Sequence, residues 1–133
     1  MKFSTRSSYG LRAMAKLAAN YGQGPYSLHK LAKEEKISLP YLERLMAKLK
    51  RSGLVNSTKG LKGGYELSRA PLEVKVGEIF EVLEGSLAPF FCVSEKGKKI
   101  CQGRHCAGKM VWQRLQVDIA KSLNSFTLSD LIK

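Results

Sequence analysis

Residues 27–67, SLHKLAKEEKISLPYLERLMAKLKRSGLVNSTKGLKGGYEL, determine the fold predicted for this chain. Ser27 is placed to cap a short helix over about residues 28–35, which a tight turn over residues 36–38 follows. Ser38 is placed to cap a second helix, and Pro40 falls in its first turn, where proline is tolerated. The apolar residues of this second helix share one face: Leu39, Leu42, Leu45, Met46 and Leu49. Two short helices joined by such a turn are typical of a helix-turn-helix.

A β-hairpin is predicted directly after these helices. Residues 54–58 and 65–68 alternate between two faces with the period of a half-buried strand. The turn between them, KGLKGG over residues 59–64, contains two lysines and three glycines. A basic, glycine-rich hairpin next to a helix-turn-helix indicates a wing. The sequence therefore predicts a mainly α fold with a small β-hairpin, in the form of a winged helix-turn-helix.

Further helices are predicted on both sides of this unit. A first helix begins at Ser4 or Thr5 and runs to about Asn20, and another extends from Val76 to about Leu83. We expect one compact fold with three parts. These are a DNA-binding winged helix-turn-helix in residues 1–85, a cysteine loop in residues 86–108, and a dimerisation helix with a C-terminal turn in residues 109–133.

The long C-terminal helix, predicted over about residues 109–125, carries one apolar stripe. The residues of the stripe are Trp112, Leu115, Ile119 and Leu123. Such a stripe fits self-association into a homodimer, and it also fits packing within the same chain. Periodicity alone does not separate these two interpretations.

The charge of the chain is concentrated in its first half. The 133 residues carry a net charge of +12, and residues 1–64 hold thirteen Lys and Arg against three acids. This asymmetry predicts a surface that binds a polyanion such as double-stranded DNA. No apolar run is long enough for a membrane span, and the N-terminus lacks an apolar signal core. We therefore expect a cytoplasmic protein with no membrane partner.

The candidate DNA-binding residues lie on the second helix of the helix-turn-helix and on the wing. Tyr41, Arg44 and Lys48 point away from the apolar face, and arginine can make a bidentate contact to guanine in the major groove. The other candidates are Ser38, Lys59, Lys62 and Gly63, with the two lysines directed at phosphate or the minor groove.

Glu43 is the one candidate on this surface with a negative charge. A carboxylate near DNA repels phosphate unless it accepts a hydrogen bond from a cytosine amino group. Glu43 is therefore a candidate sequence filter that penalises wrong sites. The alternative is that it pairs with a neighbouring Lys or Arg on the helix surface.

All three cysteines of the chain lie in one short stretch. Cys92, Cys101 and Cys106 are separated by eight and by four residues, and lysines and glycines lie between them. Three thiolates can hold a metal centre but leave it one protein ligand short of four. His105 is the nearest imidazole and is the candidate fourth ligand. A structural zinc site would use the same donors.

Several of these motifs, taken in order, resemble the Rrf-type winged-helix repressors, and within them the iron–sulfur cluster regulators. The matching pieces are Tyr9-Gly10-Leu11-Arg12, Ile37-Ser38-Leu39-Pro40-Tyr41-Leu42-Glu43, Lys50-Arg51-Ser52-Gly53-Leu54-Val55, Gly60-Leu61-Lys62-Gly63-Gly64-Tyr65, Val76-Gly77-Glu78, the three-cysteine loop and Trp112. The resemblance covers essentially the whole chain. It implies a dimeric repressor with a 2Fe-2S cluster on the three cysteines, a pseudo-palindromic operator, and control of iron–sulfur cluster biogenesis genes.

The chain departs from this family pattern in two places. The first gap between cysteines is wider than usual, and Lys109 stands where the cluster regulators commonly have a histidine. A protonated lysine has no lone pair for a metal. Relatives that sense nitric oxide or redox state take an acid from the partner's first helix, and the corresponding residues here, Ser8 and Arg12, carry no carboxylate.

Three other functions remain open on the sequence. The first is a nitric oxide or redox sensor of the same family, and the second is a constitutive DNA-binding protein with a structural zinc. The third, a small electron carrier, is disfavoured because electron carriers need no winged helix. The sequence shows no nucleophile–base pair and no carboxylate dyad, so we expect no enzymatic activity.

Overall fold

The computed structural model of the chain describes residues 2–89 and 107–132. Cys92, Cys101, His105 and Cys106, the predicted metal ligands, lie outside the described residues. The helices are α1 (Thr5–Ala19), α2 (Leu28–Glu35), α3 (Leu39–Arg51), α4 (Val76–Glu84), α5 (Lys109–Asn124) and α6 (Leu128–Leu131). The strands are β1 (Val55–Thr58) and β2 (Gly64–Leu67), and a short 3₁₀ turn covers Pro71–Glu73. The predicted fold class, mainly α with a small hairpin, is confirmed.

The three serines predicted to cap helices occupy the N-cap positions of α1, α2 and α3. Ser4 accepts a hydrogen bond from the backbone N–H of Arg6, and the hydroxyl of Ser27 accepts one from the N–H of Lys30. These side chains satisfy donors that the first helical turn leaves unpaired. Ser38 occupies the N-cap position of α3 but makes no capping hydrogen bond with the described residues. Its hydroxyl is exposed and therefore open to a partner outside the chain.

The wing is an antiparallel hairpin with a third, single-residue partner. Val55 lies opposite Leu67 and Thr58 lies opposite Gly64. Tyr26, just before α2, exchanges two backbone hydrogen bonds with Tyr65, at 2.8 and 2.9 Å. Because Tyr26 precedes the helix-turn-helix directly, this pairing fixes the wing relative to α2 and α3.

One apolar core holds the helices and the wing together. Its fully buried side chains come from every part of the winged helix: Met14, Leu17, Leu31, Leu42, Leu45, Met46, Leu49, Val55, Val74, Ile79, Leu83 and Leu128. The α1 and α4 helices pack closely because Gly10 leaves room for Leu83. A Cβ on Gly10 would lie 2.1 Å from a methyl carbon of Leu83. Gly10 in α1 is therefore required by packing.

The C-terminal turn returns to the winged-helix core. The N–H of Leu128 donates to the carbonyl of Val74 at 3.0 Å, and Leu128 is fully buried. The carbonyl of Phe126 accepts from the N–H of Val76, at the start of α4. Leu128 thus contributes to the core of the winged helix although it follows α5 in the chain. None of the described helices is long and apolar enough to cross a membrane.

Candidate nucleic-acid interface

The polar face of α3 presents most of the predicted DNA-binding residues together. Glu43 and Arg44 are exposed, and Tyr41 and Lys48 are half-buried beside them, while Leu42, Leu45, Met46 and Leu49 turn into the core. Since the apolar face is fully used by the core, this polar face is the surface that α3 offers to a partner. The geometry suits a helix that enters the major groove.

Tyr41 is held in place by residues of α1. Its hydroxyl is hydrogen-bonded to the hydroxyl of Thr5 at 3.3 Å, and its ring meets the ring of Tyr9 edge-on, with centroids 5.9 Å apart. The guanidinium of Arg44 lies over the Tyr41 ring, 5.8 Å from its centroid. Contacts of this kind contribute about 0.5–1 kcal/mol each at exposed sites. They restrict Arg44 before any DNA is present.

Glu43 forms no hydrogen bond or ion pair with any described residue. Its carboxylate is exposed on the same face as Arg44. The pairing with a neighbouring Lys or Arg, which the sequence left open, is therefore absent from the described part of the chain. The carboxylate is free to accept a hydrogen bond from a base.

The turn between β1 and β2 of the wing exposes two lysines and one leucine. Lys59 and Lys62 are exposed, and between them Leu61 is 108 % exposed. Gly63 has a structural reason for being glycine, since a Cβ there would lie 2.1 Å from the carbonyl oxygen of Thr58. The wing turn can therefore close only with glycine at position 63.

Arg12 stabilises the turn of the helix-turn-helix, a role that was not predicted from the sequence. Arg12 of α1 donates a 2.6 Å hydrogen bond from Nη2 to the carbonyl of Glu35, and its Nε lies 3.6 Å from the Glu35 carboxylate. Glu35 is the last residue of α2, where unpaired carbonyls attract a cation. Lys36, directly after it, has φ 55° and ψ 46°, a left-handed conformation unusual for a residue with a side chain. Arg12 thus stabilises the turn that orients α3.

The acids of α2 are engaged by partners away from the α3 face. The Glu34 carboxylate accepts a hydrogen bond from Tyr26 and pairs with Lys16 and Lys30. The hydrogen bond to Glu34 raises the pKa of Tyr26 to about 12, and the same bond lowers the pKa of Glu34. Because these acids are already paired, α3 and the wing keep their positive charge.

The residues of the predicted dimerisation stripe on α5 differ in their exposure. Trp112, Ile119 and Leu123 are half-buried, whereas Leu115 is exposed. Met110 and Val111 are exposed next to Leu115 and line one groove of about 440 Å³ with it. No described residue of α5 is fully buried.

Within the described residues, no group of three or more His, Cys, Asp or Glu could hold a metal ion. Lys109, the residue at the position of the family's histidine, is the first residue of α5 and is exposed. The predicted ligands Cys92, Cys101, Cys106 and His105 fall outside the described part of the chain. They remain predictions.

Comparison with known proteins identifies one family. Residues 3–133 match the Rrf2 family, described as iron-dependent transcriptional regulators. The regulator CymR of Bacillus subtilis is 37% identical over 131 residues, 98% of this chain and 89% of CymR. The regulator IscR of Sodalis glossinidius is 34% identical over 133 residues, 99% of this chain and 79% of IscR. These relatives are named transcriptional regulators and not enzymes.

Two solved structures are similar along nearly the whole chain. IscR of T. potens superposes with a TM-score of 0.79 at 39% identity, covering 99% of this chain and 86% of that one. CymR of B. subtilis, named the global cysteine regulator of that organism, gives a TM-score of 0.80 at 36% identity, with 99% and 96% coverage. Both similarities extend over the winged helix and α5.

Proposed function

Since the chain belongs to the Rrf2 family of transcriptional regulators, we propose that it is a homodimeric repressor controlled by a 2Fe-2S cluster. The dimer binds a pseudo-palindromic operator, with one α3 in each of two major-groove sites. The regulated genes, on this proposal, are those of iron–sulfur cluster biogenesis. The loss or gain of the cluster changes which promoters the protein binds.

The proposal that the protein binds DNA rests on the side chains that α3 exposes. Arg44 and Lys48 lie beside Tyr41 on the one surface of α3 that the core does not use. Lys59 and Lys62 extend this positive surface along the wing. The neighbouring acids of α2 are already paired within the chain. Such a surface matches the phosphates and base edges of duplex DNA.

The donor set of the cysteine stretch fits a cluster. Cys92, Cys101 and Cys106 supply three thiolates, and His105 supplies an imidazole, which together complete the four protein ligands of a 2Fe-2S cluster. When bound, such a cluster supplies a redox-active centre that is sensitive to its surroundings. The positive charges of the lysines between the cysteines in the sequence would favour the thiolate form, which binds metal.

Anaerobic isolation tests the cluster directly. The expected protein is coloured, with visible absorption and with two irons and two sulfides per chain. A colourless protein with one zinc per chain would support the constitutive zinc-containing alternative instead. Exposure of the coloured protein to nitric oxide, oxygen or a chelator then distinguishes a sensor of nitric oxide or redox state from a sensor of cluster supply.

A second candidate function follows from CymR, which is as similar to the chain as the IscR proteins are. On that proposal the protein regulates genes of cysteine metabolism and needs no cluster. One measurement separates the two candidate functions. Replacing all three cysteines by serine would preserve the regulation of DNA binding in a cluster-free regulator and would abolish that regulation in a cluster sensor.

A further inference from the structure

A basic groove lies between the first turn of α1 and the recognition surface of α3. Its volume is about 350 Å³, and Ser4, Thr5 and Arg6 line one side of it. Tyr41, Arg44 and Lys48 line the other side. The groove therefore combines three cations with three hydroxyl groups, and none of the residues that line it is acidic.

We propose that this groove binds a backbone phosphate of the operator, and that Arg6 is a DNA-binding residue in addition to those of α3 and the wing. The inference rests on the proposed operator binding and extends the interface to α1. The phosphate would belong to the strand that borders the major groove in which α3 lies.

Duplex DNA with α3 in its major groove would bring a backbone phosphate close to this groove. The major groove is about 12 Å wide and a helix with its side chains is about 10–12 Å across, so phosphates border a helix that lies in the groove. Thr5 is in hydrogen-bond contact with Tyr41, at 3.3 Å between the hydroxyls. The first turn of α1 thus lies directly beside the residues that would face the bases.

Arg6 keeps donors available for such a phosphate. Its nearest acid is Glu84, where the Nη2–Oε2 distance is 3.8 Å, too long for a strong hydrogen bond. The other oxygen of that carboxylate already accepts from the N–H and hydroxyl of Ser4 and from the hydroxyl of Ser7, at 2.6–2.8 Å. Glu84 is therefore fixed by the serines and only weakly paired with Arg6. A guanidinium carries five N–H donors, so one long contact leaves most of them free.

The hydroxyl groups of the groove add neutral donors for the same oxygen atoms. Phosphate oxygens in protein–DNA complexes accept from serine, threonine and tyrosine as well as from arginine and lysine. Thr5 and Tyr41 have hydroxyls that can each redirect a proton toward a phosphate. The contact would position α3 on the duplex without reading its sequence.

Salt dependence of DNA binding tests the proposal. The probe is a duplex selected from a random pool by the wild-type protein. Neutralising one phosphate contact in each half-site removes two contacts from the dimer, which should reduce the salt slope of log K by about 1.8 and the affinity about 25- to 100-fold at 0.1 M salt. We expect this for Arg6→Gln. Lys121→Gln, the same charge change on exposed α5, should leave the slope nearly unchanged.

A scan with single methylphosphonates locates the phosphate. At one position in each half-site, removal of the phosphate charge should lower the DNA affinity of the wild-type protein and leave that of Arg6→Gln unchanged. Arg6→Lys, which keeps the positive charge, should retain the salt slope. An unchanged thermal midpoint of unfolding would show that the variants are folded.

If Arg6→Gln keeps the wild-type slope and no phosphate is coupled to Arg6, the groove proposal is overturned while operator binding stands. If the pool yields no selected duplex, operator binding itself fails and the groove proposal falls with it.

Discussion

At the scale of single residues, the charged side chains on and around α3 form two groups. Some are paired with described residues of the chain, and others have no charged partner among those residues. Arg12 is committed to the end of α2, and Glu34 is committed to Tyr26 and two lysines. Glu43 and Arg44 lack such acidic or basic partners within the described residues. Base recognition by α3 is therefore expected to fall on these two residues.

Glu43→Ala should relax sequence specificity. Removing the carboxylate takes away both the proposed contact with cytosine and the proposed repulsion at wrong sites, so the difference in binding free energy between the best and the next duplexes should shrink by about 1–3 kcal/mol. Competition binding on a panel of single-base variants measures this gap. Glu73→Ala, an exposed acid on the 3₁₀ turn, is the matched control. An unchanged ranking in Glu43→Ala would remove Glu43 from the readout.

Glu84→Gln should destabilise the protein in a pH-dependent way. Burial alone would raise the pKa of Glu84, but the hydrogen bonds from Ser7 and Ser4 outweigh burial and lower it. A lowered pKa in the folded state contributes stability above the ordinary pKa, and that contribution is lost as pH falls through the folded value. We expect Glu84→Gln to lower the free energy of unfolding by about 1–2 kcal/mol at pH 7.

Urea unfolding of both proteins from pH 7 down to pH 3 provides the measurement. The two curves should converge at acid pH, where the wild-type carboxyl is protonated. A difference that stays constant over this range would show that the charge of Glu84 is not the cause.

The fourth ligand of the proposed cluster gives a further test at this scale. His105→Ala should release the cluster faster on exposure to air, whereas Lys109→Ala should leave its lifetime unchanged because a protonated lysine offers no lone pair. The decay of visible absorption measures both lifetimes. A cluster that is lost in Lys109→Ala and retained in His105→Ala would reverse the assignment.

At the scale of elements, the wing is held by close backbone contacts. Tyr26 pairs with β2 on one side, and Gly64 lies so near that a Cβ would be 2.0 Å from the Tyr26 carbonyl oxygen. Gly63 is restricted in the same way by Thr58. The position of Lys59 and Lys62 relative to α3 therefore depends on glycine at two neighbouring positions.

Gly63→Ala should weaken DNA binding by displacing the wing. The added methyl group overlaps backbone, which cannot move like a flexible side chain, and overpacking of this kind costs about 1–3 kcal/mol. Binding to the selected duplex and thermal unfolding together measure the effect. Leu61→Ala, in the same turn but fully exposed, should leave stability unchanged. Normal binding and stability in Gly63→Ala would contradict the described packing.

Local chemistry explains which elements the sequence predicted. Ser4 and Ser27 mark helix starts because capping involves residues a few positions apart. The Tyr26 pairing with β2 was not predicted, because a single paired residue has no alternation to detect. The contacts of Arg12 with Glu35 and of Ser4 with Glu84 join residues 23 and 80 positions apart, for which one sequence carries no signal.

For the same reason, the sequence predicted some surfaces of the molecule better than others. The exposed face of α3 followed from helical periodicity, since the positions between the buried leucines must face outward. The stripe on α5 was predicted as one surface, although Trp112 and Leu115 differ in exposure. Periodicity places residues on a face but does not say which neighbour covers it.

At the scale of the whole molecule, we expect the proposed dimer to use apolar residues that are exposed in the described part of the chain. Met110, Val111 and Leu115 form such a patch on α5, next to the ion pair of Arg114 with Asp118. A two-fold dimer through α5 would cover the same patch on both copies. The two winged helices would then face the two halves of one operator.

Val111→Asp should shift the protein from dimer to monomer and weaken operator binding. A carboxylate in an apolar interface loses hydration without gaining a partner. Sedimentation equilibrium measures the mass. Val117→Asp is the matched control, because Val117 is 61% exposed against 58% for Val111 and lies on another side of the helix. A dimer that persists in Val111→Asp and dissociates in Val117→Asp would place the interface elsewhere on α5.

An anaerobic titration with DNA measures whether cluster occupancy controls DNA binding, as proposed. Cluster-loaded and cluster-free protein are titrated against the same selected duplex at one salt concentration. We expect affinities that differ by at least about fivefold, the lower end of ordinary coupling between two sites. Equal affinities and equal site preference in the two forms would show that the cluster does not control DNA binding.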